Sequence, residues 1–414
     1  MILVVNLLLI AFLLTLGYRR TKESSLRSFF WPGLLLKVSM GALLGLLYTY
    51  YYPGGDTFSM FESALRFKEI GFSSWHNFTD LFFRSAYEAY PDFQYAWIPS
   101  AFFIKILALL ACITGDSYWL TGIYLSIFSF YGLWLWINLL TRLTENKTLA
   151  VVAGFLFPSI LFWSGGVIKD ALAIPALAVI LAQFTRYFLG DRLNPRHIIL
   201  ALVMFIILAI TKYFMAAIIL AVMLAIVVTR KLLRPEVYWL KQLLVFAGSL
   251  VVIAGLVSLL HPNLWPTRMA EVIYTNYQAY LIASEPAKII VYPDLKPGFI
   301  SLISHMPQAI FNGLFLPLTI IKGSAISWLS VIENWILLSA TLAAIFALPS
   351  VTKGNLRLLV WGGLTFVMIS AGLIALAAPN LGTLARYKAS YLLVYMPLVL
   401  SGLIVVYRKY VRKA

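Results

Sequence analysis

Apolar runs of about 15 to 20 residues, the length that crosses a hydrocarbon core about 30 Å thick, recur from end to end of this chain. They lie near 2–17, 32–52, 119–141, 148–164, 169–189, 197–211, 213–229, 240–260, 333–349, 357–377 and 390–407. Each predicts a helix, so the pattern predicts an all-α polytopic membrane protein with about eleven crossings. The stretch 197–229 is divided at Thr211-Lys212-Tyr213, because a lysine at mid-membrane is costly unless it faces water or a partner. The stretch 97–115 is apolar enough to cross, but a crossing there would put Arg142, Arg192 and Arg196 outside. It is expected to lie in or dip into the outer leaflet, with Lys105 snorkelling.

The polar connections give the sidedness. Arg19, Arg20, Lys22 and Arg27, then Arg142 and Lys147, then Arg186, Arg192 and Arg196 fall on one side. Arg230, Lys231, Arg234 and Lys241, then Lys353 and Arg357, and finally Arg408, Lys409, Arg412 and Lys413 fall on the same side. These hold 19 of the 32 basic residues and only 4 of the 16 acidic ones, which marks that side as cytoplasmic. The first segment has no preceding basic residue and no small-x-small cleavage site, and Arg19-Arg20 follow it. An uncleaved helix with its N-terminus outside is expected.

Composition agrees with this layout: 62% hydrophobic residues, 12% charged and a mean hydropathy of +0.89 exclude a soluble domain. The net charge of +16 is mostly a topology signal, so no nucleic-acid partner is expected. The lone Cys112 excludes an internal disulfide and shows no thiolate metal cluster. The chain is expected to be a single integral membrane domain of residues 1–414 with two long outer loops. The first, 53–118, carries amphipathic helical spacing in Phe58, Phe61 and Leu65 and in Trp75, Phe78 and Phe82. The second, 261–332, is rich in proline and suits a lid of loops and short helices.

The candidate chemistry gathers on the outer side. Pro53-Gly54-Gly55-Asp56-Thr57 places a carboxylate where a span leaves the membrane. The turn from Pro158 through Trp163-Ser164-Gly165-Gly166 to Lys169-Asp170 places two opposite charges at a helix start, and Arg386 and Lys388 stand before the last span. Charges at or within the membrane boundary are functional candidates. Each also has a plain structural reading. Asp56 can cap the helix that begins at Thr57, and Lys169 and Asp170 can be a structural pair. Lys212 can snorkel, and Arg386 and Lys388 can mark the boundary. His305 can be ordinary loop surface.

The Asp after the first outward helix, the surface helices that follow, the entry from Pro91-Asp92-Phe93-Gln94-Tyr95 to Gly115-Asp116 and the Pro-x4-Trp-Ser-x4-Lys-Asp turn together resemble the GT-C glycosyltransferases. The resemblance covers about residues 32–230 and, more loosely, the Arg386 region. The helix at 2–17 is additional to the family's usual core, and no Asp-x-Asp or Asp-Glu pair stands at Asp56. The resemblance implies an inverting transferase of a bacterial inner membrane, active on the periplasmic or exterior face. Its donor would be a polyprenyl-phosphate-linked sugar and its acceptor a glycan or lipid. No cofactor is expected, and no clear motif supports a divalent metal. Asp56 would be the base. Lys169, Asp170, Lys212, Arg386, Lys388 and His305 would bind substrate, the acidic group and the late cations meeting in one wet cavity. A lipid-linked polysaccharide polymerase or ligase, leaning on His305 and arginines, is the related alternative. A lipid or oligosaccharide transporter is the non-enzymatic one.

Overall fold

The computed structural model describes residues 1–52, 55–84, 98–234, 237–320, 327–345 and 356–406. Pro53, Gly54, Pro91 to Tyr95, Lys353 and the basic tail Arg408, Lys409, Arg412 and Lys413, which the sequence reading used, lie outside them. The helices in chain order are α1 (Ile2–Arg19), α2 (Phe30–Tyr50), α3 (Asp56–Gly71), α4 (Trp75–Thr79), α5 (Ile98–Thr114) and α6 (Tyr118–Thr144). Then come α7 (Lys147–Val151), α8 (Pro158–Trp163), α9 (Asp170–Phe188), α10 (Pro195–Thr211), α11 (Tyr213–Leu232) and α12 (Trp239–Ser258). The last are α13 (Pro266–Ala283), α14 (Phe299–Phe315), α15 (Ser327–Ile345), α16 (Leu356–Ala377) and α17 (Leu381–Val406). Among the described residues the protein is all-helical.

Eight helices among the described residues are long and apolar enough to cross a membrane: α1, α2 with its preceding turn, α6, α9, α11, α12, α15 and α16. The other three expected crossings take different forms. The run 148–164 is broken: α7 passes into a wider turn over Val152–Leu156, Phe157 is extended, and α8 restarts at Pro158. The residue before a proline is pushed out of the α region, so the break falls there. The run 197–211 is α10, 17 residues long, and it ends where Lys212 leaves helical geometry at φ −145°, ψ 69°. The run 390–407 belongs to α17, a helix of 26 residues that starts at Leu381. Arg386 and Lys388 therefore lie inside a helix rather than in a turn before it.

The chain divides into two compact units. Unit 1 comprises Met1–Lys147, Ile160–Gln183 and Leu193–Tyr213; unit 2 comprises Thr148–Ser159, Phe184–Arg192 and Phe214–Ala414.

In unit 1, α2 and α6 pack antiparallel. Phe30 meets Phe130 and Trp134 edge-on, at centroid distances of 5.2 and 5.4 Å. Gly41 faces Ser126, and Gly45 faces Tyr118 and Trp119. The amphipathic helix α3 lies on α5 through a core of Met60, Phe61, Ala64, Phe67, Phe103 and Leu107. Helix α5 thus has a buried face, and Lys105 Nζ donates to the Phe82 carbonyl at 2.9 Å rather than reaching for solvent. Helix α1 is apolar and exposed along most of its length; Asn6 is its one buried residue. Its side chain donates to the Ile113 carbonyl at 2.9 Å and accepts from Tyr124 Oη at 2.7 Å.

In unit 2, α14 packs on α16, where Gly313 closes on the Ala371 backbone. Tyr391 Oη of α17 donates to the Gly313 carbonyl at 2.5 Å. The segment after α13 docks on the turn between α16 and α17: Ile290 N–H donates to the Pro379 carbonyl at 2.7 Å, and Asn380 Nδ2 donates to Ser284 Oγ at 3.0 Å.

Candidate functional site

The candidates fall into both units. Asp56, Lys169, Asp170 and Lys212 belong to unit 1; His305, Arg386 and Lys388 belong to unit 2.

In unit 1 the chemistry centres on the turn Ser164–Lys169, which joins α8 to α9. Gly166 has φ +74°, a conformation that side chains rarely adopt. A Cβ at Gly166 would also press on the Gly41 backbone, and its N–H donates to Ser126 Oγ at 3.0 Å. Glycine at this position therefore lets the turn sit against both α2 and α6. Ser126 is eight residues from the Tyr118 end of α6, and Gly41 is nine from the Tyr50 end of α2. At 1.5 Å per residue the turn lies about 12 to 14 Å below those two helix ends.

Four charged side chains meet this turn. Lys169 is partly exposed, and its Nζ donates to Ser100 Oγ at 3.1 Å. Asp170, buried at the first turn of α9, is ion-paired with the buried Lys212. Asp170 thus has an ion-pair partner far along the chain. The fourth charge is Lys37 of α2, which the sequence reading passed over. It is fully buried and donates to the Leu161 carbonyl at 2.7 Å and to Ser164 Oγ.

Asp56 stands at the other end of this arrangement. It is exposed and is the first residue of α3, with Gly55 in the cap position, so its charge sits where the helix dipole favours an anion. Its neighbour Thr57 is buried, and Tyr118 Oη donates to the Thr57 hydroxyl at 3.2 Å. Asp56 is therefore held beside the Tyr118 end of α6, about 12 Å along that helix from the lysine-bearing turn.

In unit 2, Lys388 is buried and its three hydrogens all have acceptors: Asn334 Oδ1 at 2.7 Å, the Leu316 carbonyl at 3.0 Å and the Leu314 carbonyl at 3.3 Å. Asn334 in turn donates to the Pro317 carbonyl at 2.9 Å. Beside them Ser159 Oγ donates to Glu333 Oε1 at 2.5 Å, a carboxylate the sequence reading also missed. Arg386 lies over the Tyr387 ring at 4.9 Å and donates to its hydroxyl at 3.3 Å. His305 sits between two backbone carbonyls, with Nδ1 2.7 Å from that of Ser301 and Nε2 2.8 Å from that of Pro293. It clasps the start of α14 to the preceding segment. Next to it the buried Tyr292 has its phenol pushed up to about 12, chiefly by burial, with Tyr277 adding to the rise and a hydrogen bond from Asn312 opposing it.

No group of three or more His, Cys, Asp or Glu residues that could hold a metal ion occurs among the described residues. Comparison of the chain with protein-family models, curated proteins and solved structures finds no match.

Proposed function

We propose that the protein is an inverting glycosyltransferase of the GT-C type. It would move a sugar from a polyprenyl-phosphate carrier to a glycan or lipid acceptor at the outer face of a bacterial inner membrane. The observation that carries this reading is the order of groups along α6. An exposed carboxylate, Asp56, stands at its Tyr118 end, and about 12 Å further along is a turn that bears Lys169 and Asp170 and gathers Lys37 and Lys212.

In this reaction Asp56 takes the proton of the acceptor hydroxyl as its oxygen bonds to the anomeric carbon. The bond from that carbon to the phosphate oxygen breaks, and its electron pair leaves with the phosphate. No acid is needed, because the leaving group is a stable anion; fixed cations favour its growing charge. Lys169 is the partly exposed cation of the turn, and Lys212 is oriented by Asp170. One displacement inverts the anomeric centre, as in single-displacement glycosidases. Lys388 and His305 have their hydrogen-bonding atoms engaged within unit 2 and serve its architecture.

Asp56→Asn is expected to lower sugar transfer about 10²- to 10⁴-fold in membranes supplied with a polyprenyl-phosphate sugar, while the protein stays folded. Undiminished transfer removes Asp56 as the base. A transporter is the second reading, and Lys37 favours it, because a charge inside a membrane span marks many transport pathways. Movement of a labelled lipid in proteoliposomes with no glycosidic product would decide for that reading.

A further inference from the structure

Both ring nitrogens of His305 face backbone carbonyls. Nδ1 lies 2.7 Å from the Ser301 carbonyl, one turn back in α14, and Nε2 lies 2.8 Å from the Pro293 carbonyl in the segment before that helix. A carbonyl oxygen only accepts, and a neutral imidazole carries a hydrogen on one nitrogen alone. In either neutral tautomer, a ring lone pair is therefore set against a carbonyl lone pair, and the ring can escape only by moving off one of the two oxygens. The imidazolium, with a hydrogen on each nitrogen, satisfies both contacts at once. The Ser304 hydroxyl, 3.4 Å from Nδ1, does not change this. Its hydrogen goes to the Ser301 carbonyl at 2.8 Å, so it offers Nδ1 an oxygen and no donor.

The two carbonyls belong to different pieces of chain. Ser301 is in the first turn of α14, whereas Pro293 lies in the segment 284–298 that joins α13 to α14. The early part of that segment is fastened elsewhere. Ile290 N–H and Ser284 Oγ bond to Pro379 and Asn380, and Tyr292 N–H donates to Tyr277 Oη of α13 at 3.0 Å. Asn380 also caps α17, its Oδ1 accepting from the Gly382 and Thr383 N–H groups at 3.0 and 3.1 Å. From Pro293 to Pro297 the residues are mostly exposed. Their hydrogen bonds to α14 among the described residues are the one through His305 and that from Lys296 N–H to Ser301 Oγ at 2.9 Å. The ring thus closes the later part of the segment onto the helix.

From this geometry we infer that His305 is a proton-operated clasp. Charged, the ring bridges Pro293 to Ser301 and holds segment 284–298 on α14; neutral, it keeps one carbonyl of the two and the segment loosens. Imidazole changes its charge between about pH 5 and 8. The closed form is favoured on the acid side of the ring's titration and is lost as pH rises through it. Tyr292 meets the ring edge-on at a centroid distance of 6.3 Å, with Tyr277 at 6.0 Å from Tyr292. Asp294 and Lys296 flank the clasp and are exposed, Glu285 is paired with Lys288, and Arg268 of α13 is paired with Glu271. The other helices packed on α14 bring Glu333, Arg357, Arg386 and Lys388. Removing His305 leaves all of these in place, so a His305 variant separates their titration from that of the ring. The clasp does not depend on sugar transfer.

The test uses the purified full chain in detergent. Hydrogen exchange of the amides in 286–298, corrected for the intrinsic pH dependence of exchange, should quicken about tenfold as pH rises through the titration of the His305 ring. His305→Ala should show the faster exchange at every pH, with no step. On the acid side, nitrogen NMR of the histidine-labelled chain should find a hydrogen on both nitrogens of His305. Its signal is identified by losing the other three in turn in His76→Gln, His197→Gln and His261→Gln. Exchange that stays level across the His305 titration overturns the inference, as does a step of equal size in His305→Ala. If His305→Ala does not accumulate, the nitrogen spectrum decides: a ring with one bare nitrogen while the segment is still protected overturns the inference.

Discussion

Lys388 of unit 2 and Lys37 of unit 1 are both shut off from solvent, yet they end in different surroundings. Lys388 reaches from α17 to two carbonyls at the end of α14 and to Asn334 of α15, so every hydrogen is spent. Lys37 reaches from α2 to one carbonyl and one hydroxyl and keeps a hydrogen in hand. A lysine with all its bonds made to three elements is a brace. One with two bonds made is held less completely. Burial alone does not distinguish the two; the count of acceptors does.

The comparison can be broken most directly at Lys388. Lys388→Met strands two carbonyls and Asn334 Oδ1, and it is expected to cost about 3 to 5 kcal/mol in the stability of unit 2. Unfolding in detergent measures it, and a loss below about 1 kcal/mol would remove the brace. Pairing it with Asn334→Leu should recover part of the loss. In unit 1, Asp170→Asn takes the carboxylate from the buried pair with Lys212 and is expected to cost about 2 to 3 kcal/mol. Equal stability of this variant and the wild type would make the pair incidental.

Tyr292→Phe gives the smallest effect, about 1 kcal/mol at neutral pH, because Asn312 loses an acceptor. Its pH dependence sharpens the picture of unit 2. The folded state keeps the phenol proton up to about 12, against the ordinary value of 10.0. The native form therefore holds more proton than the unfolded one between those values, and stability falls as pH rises through that window. Below pH 10 the group contributes no slope. The wild type should lose stability faster than Tyr292→Phe across the window, and parallel curves would contradict the burial argument.

Most of the helices were legible because hydropathy averages over a span, and α1, α2, α6, α9 and α16 lie close to where the pattern puts them. The joint at Lys212 was legible for an energetic reason: a lysine that deep has to leave the helix or find a partner, and it does both. Other signals were present but outweighed. Pro158 marks the break in 148–164, yet the run is apolar enough to read as one span. Lys169 and Asp170 look like a pair on paper, yet Asp170 reaches across to Lys212. Lys37 vanishes in the average of a 24-residue apolar segment; Gly165, which makes room beside its end, lies in a distant stretch of chain. The partners of Lys388 and His305 are mainly backbone carbonyls, which carry no residue code at all. The placement of Asp56 beside Tyr118 rests on a hydrogen bond between Tyr118 and Thr57 spanning 61 residues, beyond the reach of local pattern.

Helix α1 shows how such long-range contacts bear on biogenesis. Its polar attachments run from Asn6 and Leu13 to residues 107 and 118 positions later, so this helix cannot complete its docking until that part of the chain emerges. Its nearly uniform apolar surface lets it remain dissolved in lipid meanwhile. Insertion and docking of this helix are therefore separate events in time, and the amide of Asn6 ends the interval.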